Sequence, residues 1–317
     1  MKKRIVDFAA RIPRFKKLRR AGVNTARLLR TGMRAMTYGE SIGGVSNSTL
    51  YTQRKIAAVI AAPVSGTCGQ NIDMALMLAD ESNTGRADPA YDAHMLPIGE
   101  WALAVWEGWR KLDSIMGMVK RACSRLTGAK NPCKLAYGPA AAFVLTCWRL
   151  GWTVVSGVVV ITDTGRELNL TLDPPAVILK QCRMAVQRWR WKRIEKSFPQ
   201  LAANGSGRGA LMEPIWQLLR DTKDTPEWNG NHRGALKSQM AGRQWTQTRV
   251  HKAGWSEHNR CLTCLSTIVD AETPPPDQCV RTERDEVGAT ADQIARAPVG
   301  NSAHRLWTGR CNHALRT

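Results

Sequence analysis

Residues 158–175, VVVITDTGRELNLTLDPP, carry the clearest strand pattern in the chain. Two runs rich in β-branched and apolar residues, 158–161 and 168–172, flank the turn residues Asp163-Thr164-Gly165. This spacing of strand, loop and strand predicts a β-hairpin. Asp173-Pro174-Pro175 follows directly, and proline is favoured in the first turn of a helix. The sequence therefore predicts a hairpin that leads into a helix.

Helices are predicted on both sides of this hairpin. Residues 139–150 form a short apolar run upstream, and residues 176–198 form a long helix downstream. Residues 140–161 together are apolar enough to resemble a membrane span, but Arg149 lies at their middle. An arginine at the centre of a bilayer costs about 3 kcal/mol. We therefore expect a helix followed by a strand in a protein core, and no membrane span.

Residues 24–60 predict two further helices. Asn24 can cap the first helix, because its side-chain oxygen accepts a hydrogen bond from a free backbone N–H. Gly43-Gly44 breaks the pattern, and Ser46 or Ser48 can open the second helix.

Residues 70–122 are also helical in period, apart from a polar loop at 83–92. One face of the last predicted helix carries large apolar side chains. They are Trp101, Val105, Trp106 and Trp109. Aromatic side chains at this spacing bury large areas in protein cores, so we expect a core stripe rather than a platform for stacked bases.

The charge of the chain points to a polyanionic partner. The 317 residues carry a formal net charge of +20, and 43% of them are hydrophobic, enough for buried cores. Residues 1–20 hold a dense run of cations and are expected to form a solvated basic helix. Binding of such a surface to a polyphosphate releases counterions, so RNA or DNA is the leading partner and an anionic membrane surface is the alternative. We expect no small-molecule substrate.

The densest basic segment lies in the long helix, at RMAVQRWRWKRIEK. Arginine and lysine neutralise phosphates, and interleaved tryptophan rings can stack on unpaired bases. The candidate nucleic-acid-binding residues here are Arg188, Trp189, Arg190, Trp191, Lys192 and Arg193. Arg243 and Arg249, in a second basic helix expected at 233–253, complete the set. A helix packed on the hairpin with a basic exterior is the favoured interpretation, and base stacking is the alternative.

The last sixty residues contain a possible zinc site. Cys261 and Cys264 have the CxxC spacing that grips a metal ion from a tight turn, and His304 and Cys311 can complete a tetrahedron. The alternative is a set of scattered reduced cysteines. The nine cysteines lack the regular spacing of a secreted disulfide scaffold, so in either case we expect a nuclear or cytoplasmic protein with reduced thiols.

Several blocks resemble a known family. Arg27-Leu-Leu-Arg-Thr-Gly-Met33, Tyr38-Gly39 and Arg54-Lys-Ile-Ala57 look like the thumb region of non-LTR retrotransposon reverse transcriptases. Later blocks are similar to retroelement-derived open reading frames abundant in dinoflagellate genomes. These blocks include Gly138-Pro-Ala-Ala-Ala142, Arg149-Leu-Gly-Trp152, Leu172-Asp-Pro-Pro175, Arg188–Arg193, Gly242–Arg249 and the CxxC followed by Ala303-His-Arg-Leu-Trp307.

The resemblance implies a zinc-binding tail held by Cys261, Cys264, His304 and Cys311. The spacing between His304 and Cys311 is wider than the family pattern, which leaves Cys279 or His313 as substitutes. Polymerisation in this family needs a Tyr-x-Asp-Asp turn for two Mg²⁺ ions, and this chain contains no Asp-Asp. The resemblance therefore implies a non-catalytic region C-terminal to the polymerase palm, which holds RNA template or target DNA.

These observations predict a mainly α fold with a small β-hairpin and a small zinc-binding C-terminal module. We expect a helical thumb-like region at 1–125, a connection region of helix, hairpin and basic helix at 131–200, and a basic helix with the zinc tail at 233–317. Residues 203–232 are expected to be loop-rich.

Two alternatives to nucleic-acid binding stay open. The chain can be a decayed open reading frame with no molecular activity, in which case it should hold no stoichiometric zinc. It can also be a cryptic metal-dependent nuclease, although nothing in the spacing of its acidic residues favours that chemistry. The candidate acids are Asp80, Glu81, Asp113 and Asp221.

Overall fold

The structure, a computed structural model, describes residues 2–61, 71–80, 87–198, 209–220, 223, 225, 228–240, 254 and 257. The chain divides into two compact units. One comprises Met1–Asp221 with Met240–Gly242, and the other comprises Thr222–Gln239 with Arg243–Thr317. The described residues are mainly helical with one small antiparallel sheet, which confirms the predicted fold class at that level.

The helices are named in chain order. They are α1 (Lys2–Ala9), α2 (Ile12–Arg20), α3 (Thr25–Gly32), α4 (Arg34–Thr37), α5 (Glu40–Gly43), α6 (Asn47–Ala61), α7 (Ile72–Ala79), α8 (Pro89–Trp106), α9 (Leu112–Leu126), α10 (Pro139–Leu150), α11 (Pro175–Ser197), α12 (Glu213–Arg220) and α13 (Gly230–Met240), with a 3₁₀ turn at Pro132–Lys134. The strands are β1 (Thr153–Val154), β2 (Val159–Ile161) and β3 (Glu167–Asn169).

The predicted hairpin is confirmed, and β1 extends it to three strands in the order β1-β2-β3. Val160 lies opposite both Val154 of β1 and Leu168 of β3. Val160 and Leu168 are paired across the two strands, so their side chains lie on the same face of the sheet. Both are fully buried. The hairpin thus contributes one apolar face to the core.

The main core joins this sheet to α8, α9, α10 and α11. The rings of Trp101 in α8 and Phe143 in α10 stack with their centroids 5.3 Å apart. Trp101 Nε1 donates to the carbonyl of Gly157, 3.0 Å away, which ties α8 to the sheet. Residues on both sides of the boundary expected at 125–131 therefore share one core.

A second core lies beneath the N-terminal helices. Ile5 and Phe8 of α1 pack with Leu29 of α3, Ile60 of α6 and Leu76 of α7. The charge of the N-terminal segment predicted a freely solvated basic helix. The structure differs, because this segment packs on the second core. Ile5, Phe8, Ile12 and Phe15 dock on the protein, whereas most of the cations and two large apolar side chains, Val6 and Leu18, are exposed.

The predicted helix caps and the predicted helix end at Gly43-Gly44 are confirmed. The Asn24 side chain accepts from the backbone N–H of Arg27 at 3.2 Å, and Ser46 Oγ accepts from that of Thr49 at 3.2 Å. Gly44 has φ +63°, a left-handed conformation that glycine adopts without a steric penalty, and it ends α5.

The predicted core stripe is only half correct. Trp101 and Val105 are buried, but Trp106 is 45% and Trp109 57% exposed. Helix α8 ends at Trp106, and Gly108 follows with φ +66°. The turn changes the direction of the chain, so Trp109 does not continue the buried face. The start of α8 also differs from the prediction. Asp88 caps a helix that begins at Pro89, so residues 89–92, expected in a polar loop, are helical.

The region expected to be loop-rich contains α12. Trp216 and Leu219 form its buried face, and Trp216 Nε1 donates to the carbonyl of Met77 at 3.1 Å. The next predicted helix begins at Gly230, three residues early, and is described to Met240. Among the described residues, no helix has both the length and the apolar character that a bilayer crossing requires.

Candidate nucleic-acid interface

Four helices converge on a set of buried ionic side chains, Arg54, Asp73, Asp88 and Arg190, named here the buried charge cluster. Arg54 of α6 donates to both carboxylate oxygens of Asp88 at 2.8 Å. Two further ion pairs complete the cluster. Arg54 pairs with Asp73 at 2.6 Å, and Arg190 pairs with Asp88 at 2.9 Å. All four side chains are buried. The cluster therefore fixes α6, α7, α8 and α11 to one another.

The cluster holds its acidic member in the ionised form. Burial raises the pKa of Asp88, but attraction to Arg54 and Arg190 outweighs this effect and holds the pKa at about 2. Asp88 also accepts from the backbone N–H of Ala90 at 2.9 Å, so one carboxylate serves both as a helix cap and as the partner of two guanidinium groups.

The basic run of α11 does not face solvent as a whole. Arg190 is 1% exposed and Trp191 is also buried, so neither side chain offers a surface to a nucleic acid in this fold. Six consecutive residues point to all sides of a helix, because each turns by about 100°. Packing of α11 against the core is confirmed, but its exterior retains only part of the predicted set.

Trp189 is half-buried, and its ring is already in contact with other groups. The guanidinium carbons of Arg54 and Arg193 lie 5.2 and 5.0 Å from its ring centroid, and the His94 ring lies 5.2 Å away. Arg193 also forms an ion pair with Asp73 at 3.3 Å. These contacts favour the structural interpretation of Trp189 over base stacking.

Arg188 is bound to the hairpin. Its Nε and Nη2 atoms donate to the two oxygens of Asp163, each at 2.7 Å, and Trp152 Nε1 donates to the same carboxylate at 3.2 Å. Asp163 therefore does more than form a turn: it joins the tip of the hairpin to α11. Lys192 is the member of the predicted run that is exposed and has no ion pair among the described contacts.

Several predicted residues lie outside the part of the chain that the structure describes. These residues are Arg243, Arg249, Cys261, Cys264, Cys279, His304, Cys311, His313, Glu81 and Asp221. Of the remaining nuclease candidates, Asp80 is buried and Asp113 is exposed on α9. Within the described ranges, no three His, Cys, Asp or Glu side chains are placed to hold one metal ion.

An exposed cationic surface lies instead on α2. Arg14, Lys16, Lys17 and Arg20, named here the α2 surface, are all exposed, and α2 has no buried residue. The six ion pairs found in the described ranges include none of these four cations. The sequence signal for this surface is the density of the first twenty residues, which contain nine cations and one acid.

Arg19 fixes α2 in place. Its Nη1 atom donates to the carbonyls of Val59 and Ile60, at 3.2 and 3.3 Å, in the last turn of α6. Carbonyls at a helix C-terminus lack intrahelical partners and attract cations. Phe15, on the same side of α2, packs against the second core. The α2 surface is consequently held facing water on a docked helix.

Sequence reasoning missed a second cationic surface, on and after α9. Exposed cations recur along the outer side of this helix and the turns that follow it. They are Lys120, Arg121, Arg125, Lys130 and Lys134. Tyr137 is 70% exposed beside them, with the Arg125 guanidinium carbon 5.8 Å from its ring centroid. The recurrence of Lys and Arg opposite the buried positions Ile115, Val119 and Ala122 was the available signal.

A buried carboxyl group lies at the end of the second core. Burial raises the pKa of Glu40 to about 8, with a further rise from Asp92, while the Gln53 hydrogen bond and Arg149 act in the opposite direction. Gln53 Nε2 donates to Glu40 Oε1 at 2.6 Å, and Glu40 Oε2 has no hydrogen-bond partner in the described structure. Burial therefore favours the protonated, neutral form of Glu40.

Glu40 should make the fold less stable as the pH rises. Between its ordinary pKa of 4.5 and about 8 the folded state holds a proton that the unfolded chain has lost. The free energy of unfolding then falls with pH, by on the order of 1 kcal/mol per pH unit. His94 has the opposite slope between about 3 and 6.5, because burial lowers its pKa to about 3. Among the groups that the structure describes with a shifted pKa, Glu40 is the one whose shift spans the window from 6.5 to 8.

The variant Glu40→Gln should abolish this decline. Urea unfolding at pH 6.5 and pH 8 should show a loss of stability in the unmodified chain and nearly equal stability in the variant. Glu100→Gln, at an exposed position of α8, is the matched control and should retain the decline. An unmodified chain equally stable at both pH values would show that Glu40 is not protonated.

Comparisons of this chain with protein-family models, with curated proteins and with solved structures find no match.

Proposed function

We propose that this protein binds single-stranded nucleic acid without catalysing a reaction on it, and that the α2 surface is its principal contact. The observation that carries this proposal is a docked helix whose exposed side holds four cations outside the described ion pairs. All four charges are exposed on one nine-residue helix. The self-repulsion is relieved when a polyphosphate approaches and releases its counterions.

A nucleic acid suits the α2 surface better than a membrane does. Helices that bind membrane surfaces insert an apolar face among the lipids. In α2, Ile12 and Phe15 pack against the second core instead, and the four cations outnumber Leu18, the one large apolar side chain of this helix that is exposed. A linear chain of phosphates can meet such a helix without apolar contact.

The sequence resemblance suggests which nucleic acid the protein would hold. In a retrotransposon reverse transcriptase, the region after the palm holds RNA template or target DNA, and we propose the same role here. Thumb-like helices that grip a backbone would require the exposed cations found on α2. The buried charge cluster would keep these helices rigid, because it joins α6, α7, α8 and α11.

We further propose that the C-terminal region holds one structural Zn²⁺ ion through Cys261, Cys264, His304 and Cys311. Purified protein is then expected to contain about one zinc per chain by elemental analysis. Replacing Cys261 and Cys264 together by serine should remove the metal, while replacing the buried Cys147 by alanine should leave it bound. A metal-free chain, purified without chelators, would contradict the zinc site.

A binding titration tests the main proposal. Labelled single-stranded RNA and DNA are titrated with the full chain and followed by fluorescence anisotropy. A strand of the same bases on an uncharged backbone is the control, and we expect it not to bind. Equal affinity for the charged and uncharged strands, or no binding to either, would overturn the proposed function.

A further inference from the structure

A pocket opens between α1 and α4. One of its lining residues, Arg11, directly precedes α2 in the sequence. The pocket is lined by Arg4, Asp7, Phe8, Arg11, Ala35 and Tyr38 and has a volume of about 450 Å³. The pocket is wide open to solvent, so a single base could lie in it with one side in water. Phe8 is buried and forms the floor, whereas Arg4, Arg11 and Tyr38 are exposed.

Arg4 and Tyr38 form a cation–π pair at this pocket. The guanidinium carbon of Arg4 lies 4.5 Å from the centroid of the Tyr38 ring, and Arg4 Nη1 donates to the Tyr38 carbonyl at 3.4 Å. The Tyr38 side chain is nevertheless 69% exposed, so most of the ring meets solvent. A planar cation over a tyrosine ring extends a flat surface on which a third planar group can stack.

The polar groups of the wall suit the remainder of a nucleotide. Arg11 is exposed and can meet a phosphate. Asp7 would repel a phosphate but can accept hydrogen bonds from the amino or imino groups of a base edge. The pocket therefore offers a stacking surface, an acceptor for the base and a cation for the phosphate.

We propose that this pocket takes one unpaired base of a bound strand, stacked on the pair of Tyr38 and Arg4, with the adjoining phosphate at Arg11. This inference rests on the proposed function and adds to it a preference for single strands. In a duplex both faces of each base are covered by its neighbours, so the base cannot enter without being flipped out. The α2 surface has no such requirement, because phosphates are exposed in single strands and duplexes alike.

The test is the ratio of affinities for a single strand and for a duplex of the same sequence, measured with the full chain. Tyr38→Ala should weaken single-strand binding by roughly 10- to 100-fold, as expected for one stacked base, and change duplex binding by less than about twofold. Tyr38→Trp keeps an aromatic surface and should retain the preference. Tyr51→Ala removes an exposed tyrosine of α6 outside the pocket and should change neither affinity.

The outcomes separate this inference from the proposed function. If the unmodified chain binds both strands but Tyr38→Ala leaves the ratio unchanged, the pocket is not a base site while the proposed function survives. An equal loss on single strand and duplex would also overturn the base site, because it would show a general effect of Tyr38. If the unmodified chain binds neither, both ideas fail together. Circular dichroism melts of the variants confirm that each one is folded.

Discussion

Replacing Asp88 by alanine should lower the free energy of unfolding by about 3–5 kcal/mol, the range for a buried ion pair that loses one partner. Two buried guanidinium groups, those of Arg54 and Arg190, would then face each other without the carboxylate between them. Their charges cannot be relieved by loss of a proton, since arginine stays ionised in proteins. The cap on α8 would also be lost, which costs about 1 kcal/mol more.

Urea unfolding followed by circular dichroism measures this loss. Asp113→Ala, at an exposed position in the first turn of α9, is the matched control and should cost less than about 1 kcal/mol. Asp88→Asn retains a side chain that can cap the helix, so the difference between the two Asp88 variants separates the cap from the charge. A loss at Asp88→Ala no larger than that at Asp113→Ala would contradict the buried charge cluster.

Neutralising the α2 surface should produce the second large effect. The variant in which Arg14, Lys16, Lys17 and Arg20 are all replaced by glutamine should bind single-stranded RNA roughly 100-fold more weakly at about 0.1 M salt. The four side chains are exposed, so the fold should be unaffected. Anisotropy titrations of the variant and the unmodified chain provide the comparison.

The matched control removes the same charge elsewhere. Lys120, Arg121, Lys130 and Lys134 are exposed on and after α9, and changing all four to glutamine lowers the net charge equally. We expect this variant to lose much less affinity than the α2 variant. Equal losses would show that total charge drives binding, and the α2 surface would no longer be a specific site.

Local rules predicted the hairpin, α10 and the helix caps because the signals for these features lie within a few residues. Asn24 and Ser46 each accept a hydrogen bond from a backbone N–H three residues ahead. The end of α8 could also have been read from Gly108, since a glycine directly after an apolar run is a common helix end. Without that signal Trp109 was assigned to the core, and it is exposed.

The inward direction of Arg190 could not be predicted locally. Its partner Asp88 lies about a hundred residues earlier, and a run of consecutive cations and aromatics offers no period to show which side faces the core. A buried arginine is uncommon unless it is paired, so the expectation favoured solvent. The proposed base-binding pocket was missed for a related reason, because Arg4 of α1 and Tyr38, the residue after α4, meet only in the folded chain.

The dependence of binding on salt is the most direct test of the claim that a folded cationic surface grips a polyphosphate. Each phosphate neutralised on a single strand contributes about 0.7 to the slope of log K against log salt concentration. We predict a steep negative slope for the unmodified chain, shallower by about 3 when the four α2 cations are neutralised. A slope near zero, or one that the α2 variant leaves unchanged, would contradict the account.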